Sequence, residues 1–182
     1  MDSVIRYVPA FVLSLAVLAP AAPLPRPSPD FTIHLMPSGE VSPAQYQGKV
    51  VVLAFILTTC SHCQHSTQML SGLQREYGPR GLQVMAAAFN EMAHMLVPDF
   101  IKQFEPAFPV GYSNRQEVQA YLDHSPQLQL FVPALVFIDR KGMIRHQYTG
   151  DDPFFQNQEK NVRDTIEQLV KEPVPMKKKK AS

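Results

Sequence analysis

The run VVVLAFIL at residues 50–57 limits the fold more than any other stretch of the chain. Its β-branched, aliphatic and aromatic residues show no polar alternation, which suits a strand buried on both faces. Such a strand belongs inside a sheet with helices covering each side. It runs directly into TTCSHCQH at residues 58–65, which holds Cys60 and Cys63, the only cysteines among 182 residues.

The segments that follow alternate in kind. Residues 61–77 can form a helix with Met69, Leu70, Leu73 and Tyr77 apolar along it, closed by Gly78-Pro79. Residues 81–89, GLQVMAAAF, form a second buried strand. A helix is expected over 97–104, where Pro98 suits a first turn, then a short extended piece FPVGY and a short helix over 114–123. ALVFID at 134–139, the turn Arg140-Lys141-Gly142 and MIRHQYTG at 143–150 make a β-hairpin. Residues 159–170 close the chain's folded part as an amphipathic helix carrying Val162, Ile166, Leu169 and Val170. The pattern predicts an α/β domain with a mixed central sheet and helices on both faces. It puts the cysteines where the first buried strand turns into the first long helix, at the carboxyl end of a strand where α/β sheets place their sites.

The two ends read differently. Arg6, an apolar run over 8–18 and Ala19-Pro20-Ala21 form a secretory signal over residues 1–21, or an uncleaved amino-terminal anchor. Residues 22–29 are a proline-rich, extended linker, the domain proper spans 30–171, and residues 172–182 are a tail ending near four lysines. That tail reads as a solvated segment, with attraction to anionic lipid as the other reading. A leader of this kind implies an exported location, periplasmic or equivalent, where a disulfide persists. A formal net charge of +1 gives no electrostatic reason for nucleic-acid binding.

Cys60 falls at the cap of the expected helix and Cys63 one turn inside it, so both sulfurs lie on one side and can meet. The helix end favours a thiolate at Cys60, and a protonated His62 would reinforce it. Cys60 is thus the candidate nucleophile and Cys63 the buried resolving thiol. A zinc site lacks a second C-x-x-C or H-x₃-H for its remaining ligands. Copper accepts fewer soft ligands and stays open as an alternative, with Cys60, Cys63 and a histidine. A structural disulfide closing so short a loop would constrain little of the unfolded chain.

VVVLAFILTTCSHC, the helix after it, FVPALVFIDRKGMI and the last helix together resemble the thioredoxin superfamily, specifically exported TlpA/ResA-like thiol-disulfide oxidoreductases, over roughly residues 30–171. The resemblance implies a thioredoxin-like fold in which the stretch between residues 92 and 123 is the TlpA-type helical insert. It implies that Pro133, preceded by Val132, is cis and faces the cysteines, where both residues present backbone to a substrate segment. Thr59 stands where the family usually has tryptophan. Ala54 and Ser66 stand where members carry acids that move the buried thiol's proton, which leaves water, His65 or no relay. The Cys-Ser-His-Cys pattern looks more like the oxidant DsbA than like the reductases, so the direction of electron flow stays open.

Peroxiredoxins share the fold. Their P-x-x-x-T-x-x-C pattern fails here, because an alignment on Cys60 meets Leu53 and Leu57, and one on Cys63 meets Cys60 itself. The reading is therefore an exported thiol-disulfide oxidoreductase acting on protein thiols or disulfides through Cys60 and Cys63. His62, Thr59, Val132 and Pro133 serve redox tuning and substrate contact. The protein is expected to be a monomer needing no cofactor or metal, and to meet a membrane only through an uncleaved leader. The alternatives are a copper-binding assembly factor on the same fold and a thiol peroxidase.

Overall fold

In the computed structural model, residues 23–174 are described, so the expected leader at 1–21 and the lysines of the tail lie outside the described residues. The apolar run forms a strand over Val50–Ile56 in which every residue is buried. Among the described residues eight strands make one sheet: β1 (Arg26–Pro27), β2 (Ile33–His34), β3 (Glu40–Val41), β4 (Val50–Ile56), β5 (Leu82–Ala88), β6 (Val110–Tyr112), β7 (Ala134–Ile138) and β8 (Met143–Tyr148). Their order is β1-β8-β7-β4-β5-β6-β2-β3, which puts β4 in the interior. It runs parallel to β5, with Val50 opposite Leu82 and Ile56 opposite Ala88. It runs antiparallel to β7, with Val51 opposite Ile138 and Phe55 opposite Ala134. The sheet is mixed, as the sequence implied.

Among the described residues four α-helices cover it: α1 (Ser61–Tyr77), α2 (Ala93–Phe104), α3 (Arg115–Tyr121) and α4 (Gln158–Lys171). Because successive residues of a strand face opposite sides, β4 feeds two cores. Val50, Val52, Ala54 and Ile56 pack with Leu70 and Leu73 of α1, Val97 and Phe100 of α2, and Val162, Ile166 and Leu169 of α4. Val51, Leu53 and Phe55 pack on the other side with Phe31 and with Val118 and Tyr121 of α3. Each large side chain fully buried in this way contributes about 1.5–3 kcal/mol relative to exposure.

Two sequence expectations are corrected. The helix expected from residue 97 starts at Ala93 and holds Pro98 in its interior. Ala93, Val97 and Phe100 are its buried residues, and their helical spacing continues the helix past the proline. Gly78 closes α1 as expected, as its C-cap and in the right-handed helical region. It begins a 3-10 turn, Gly78–Arg80, and Gly81 takes the positive φ, of 95°. Part of the segment assigned to a linker also belongs to the sheet, since Arg26 and Pro27 pair with Ile144 and Met143. The guanidinium of Arg26 donates to the Tyr121 carbonyl at 2.7 Å and to the Gln147 side chain at 3.1 Å, which fixes the segment to the domain.

Candidate functional site

The strand-to-helix junction is built by backbone bonds that leave Cys60 at the helix end. The Cys60 N–H donates to the Leu57 carbonyl at 3.1 Å, and its own carbonyl accepts from Gln64 N–H at 3.0 Å. Cys60 is the N-cap residue of α1, with extended φ and ψ of −87° and 120°. It is half-buried, whereas Cys63, one turn on, has no solvent exposure. Both thiols are free. Burial pushes the Cys63 thiol well above its usual range; the Leu57 backbone N–H acts against that shift, and the hydrogen bond and charge of Cys60 add to it. The two sulfurs are therefore in direct interaction, with the outer one at a helix N-terminus whose unpaired N–H groups favour negative charge.

Val132–Pro133 is a cis peptide. Pro133 is buried at the start of β7, and His62, Val132 and Pro133 line one cleft of about 320 Å³. Cys60 and Val132 pack against the same hydrophobic core. Three of the six site residues read from the sequence, His62, Val132 and Pro133, thus share one cleft, and Cys60 and Cys63 flank His62 in the chain. Thr59 is exposed and is not part of the cleft's lining. Gly150 N–H donates to the Phe131 carbonyl at 3.0 Å, and a Cβ on Gly150 would lie 2.6 Å from the Val132 carbonyl oxygen. Only glycine lets β8's end come this close to the cis segment.

Several supporting groups escaped the sequence reading. Asn90, just past β5, accepts the Thr58 N–H at 3.0 Å and the Thr58 hydroxyl at 3.3 Å on its Oδ1. Gln64 Nε2 donates to the Thr58 carbonyl at 3.0 Å. These bonds fix Thr58, two residues before Cys60, from outside and from within α1. Ser66 donates to the His62 carbonyl at 2.8 Å and accepts from Gln158 Nε2 of α4 at 2.7 Å. An uncharged pair thus occupies a position where family members carry an acid. Ala54 is buried in apolar surroundings, and His65 is exposed. Among the described residues, no three His, Cys, Asp or Glu side chains are grouped so as to hold a metal ion. No described helix is long and apolar enough to cross a membrane.

A free dithiol at a strand-to-helix turn, opposite a cis-proline on a mixed sheet, defines a thioredoxin-like protein. The redoxin family's sequence profile matches residues 25–166, and the chain belongs to that family. Among its relatives, the thiol-disulfide oxidoreductase ResA of Bacillus thuringiensis subsp. konkukian is 23% identical over 124 residues, 68% of each chain. ResA of Oceanobacillus iheyensis is 27% identical over 128 residues, covering 68% of this chain and 63% of the relative. Among solved structures, a Chlorobium tepidum protein assigned as thiol:disulfide interchange protein DsbE superposes with a TM-score of 0.68 at 21% identity, over 80% of this chain and 96% of its own. A hypothetical protein from Sinorhizobium meliloti gives 0.69 at 19% identity, over 87% and 90%. The TlpA/ResA-like resemblance, the thioredoxin-like fold and the enzyme class, thiol-disulfide oxidoreductase, all stand.

Proposed function

We propose that Cys60 is the attacking sulfur of this oxidoreductase and Cys63 the resolving one. The Cys60 thiolate attacks a substrate disulfide and forms a mixed disulfide, while the leaving sulfur departs as a thiolate and is protonated. The Cys63 thiolate then attacks the Cys60 sulfur, so that the enzyme is oxidised and the substrate leaves as a dithiol. Run backwards, the same steps oxidise a substrate dithiol. The observation that carries this reading is the asymmetry of the pair: an accessible Cys60 at a helix N-terminus and a wholly buried Cys63 behind it. Val132 and Pro133 contact the substrate segment, His62 tunes the redox equilibrium, and Thr59 presents the exposed edge of the turn to a partner. The leader-like sequence at residues 1–21 supports an exported setting. Copper binding has no support from grouped ligands around the cysteines among the described residues.

The test is a trap. A reduced Cys63→Ala variant offered a peptide disulfide is expected to accumulate a stable mixed disulfide on Cys60, identified by mass spectrometry, and Cys60→Ala none. A trapped adduct on Cys63 in the Cys60→Ala protein would reverse the assignment.

A further inference from the structure

The cleft beside the cysteines carries charge that sulfur exchange itself does not use. His62 and the Val132–Pro133 segment form one part of its lining, and Asp151 and Asp152, in the turn after β8, form another, with Gln158 of α4 beside them. Each carboxylate has one oxygen engaged in holding its own turn. Asp151 Oδ1 accepts from the Thr149 hydroxyl at 2.7 Å, and Asp152 Oδ1 accepts from Phe154 N–H at 2.8 Å. Neither is in an ion pair among the described residues. Apart from His62, no basic side chain among the described residues lines the cleft. Two adjacent, uncompensated carboxylates in a recess attract a cation more strongly than they would on an open surface.

We propose that this cleft is a specificity site that takes a lysine or arginine side chain flanking the cysteine of the substrate disulfide. The inference rests on Cys60 as the attacking sulfur and on Val132–Pro133 as substrate contact. The cleft's edge, His62, is two residues from Cys60, and an extended chain advances about 3.3 Å per residue. In this reading a substrate bonded to Cys60 and lying along Val132–Pro133 sets a neighbouring side chain into the cleft that Asp151 and Asp152 also line. A cationic neighbour gains two attractive contacts there, and an acidic one meets like charge. Partly exposed pairs each change a rate by only a few fold, and salt weakens them.

Two peptides test this, each with one cysteine as a mixed disulfide with mercaptoethanol, identical except for arginine or glutamate on both sides of the cysteine. The Cys60 thiolate attacks the peptide sulfur, the peptide becomes bonded to Cys60, and mercaptoethanol leaves as its thiolate, so electrons balance without a further oxidant. With the reduced wild-type protein in about 20 mM salt, the arginine peptide is expected to react about five- to tenfold faster, the ratio shrinking at about 500 mM. In the D151N/D152N double variant, which keeps the oxygen acceptors of the turn, the ratio should fall close to 1. In D151K it should fall below that of the wild type. A wild-type ratio of 1, or a ratio unchanged in both variants, overturns the proposal. Uncharged hydroxyethyl disulfide separates the two levels of the argument. If wild-type Cys60 does not react with it, the reading of the cysteines falls and the cleft's role with it; if it reacts without any charge preference among the peptides, only the cleft's role falls.

Discussion

Cys63 shows how one residue's environment assigns roles within a pair that the sequence leaves almost symmetric. Its sulfur has no solvent exposure, and burial holds the thiol protonated far above the usual range. The expected consequence is ordered alkylation. Reduced protein treated with iodoacetamide at pH values up to about 8.5, the ordinary thiol value, should be modified at Cys60, with Cys63 reacting only after denaturation. Peptide mapping decides it, and modification of Cys63 first would remove the asymmetry from the mechanism. Much of this was legible, because the C-x-x-C spacing and the apolar run before it are local and fix helix position and burial together. The Ser66–Gln158 bond, between residues 92 apart, was not, and neither was Asn90 holding Thr58 across 32 residues. Serine, glutamine and asparagine are common, and no spacing rule relates positions brought together only by the closed sheet.

Among the elements, the periodic segments and the short pieces between them were readable, and the two-residue strands were not. The bounds of α1, Ser61–Tyr77, follow from its apolar spacing, whereas β1, β2 and β3 have two residues each, too few for alternation to show. In α2 the rule that proline favours a first turn competed with the buried stripe of Ala93, Val97 and Phe100, and the stripe prevailed. Pro98 and His94 are both exposed, so water can serve the carbonyl that a proline at position 98 leaves unbonded. Contact between the end of β8 and the cis segment is where an element sets the site. In Gly150→Ala the new Cβ meets Val132 backbone rather than a flexible side chain, so the Val132–Pro133 segment must move. Sub-ångström to 1 Å misplacement of a reacting geometry costs up to about a hundredfold. Mixed-disulfide formation measured by stopped flow is expected to slow by about tenfold or more, while circular dichroism keeps its α/β signature. An unchanged rate would show that the segment does not help place the substrate.

Across the whole molecule, β4 joins two cores that share one sheet, and the hairpin of β7 and β8 extends that sheet away from it. His146 sits in this hairpin, with its ring 6.3 Å from Phe137 and stacked 6.2 Å from Tyr148. Its Nε2 is buried without a hydrogen-bond partner, and its Nδ1 lies 3.5 Å from the Tyr148 hydroxyl. Burial lowers its proton affinity, Arg145 lowers it further, and Glu172 opposes both. In the unfolded chain the same imidazole titrates near about 6.5. As pH falls through that value the unfolded state takes up a proton that the folded state resists, so the unfolded state binds more protons and stability declines with falling pH. Stability that is full at pH 7.5 should therefore be partly lost by about pH 5, ahead of the carboxylates' own titration near about 4. In His146→Gln the side chain is neutral throughout, and that part of the decline should disappear. Urea unfolding of both proteins at about pH 7.5 and about pH 5 measures it: the drop in unfolding free energy should be smaller for the variant. Equal drops in the two proteins would mean that the hairpin opens enough to hydrate His146 in the folded state, and that burial at this edge of the sheet does not govern acid stability.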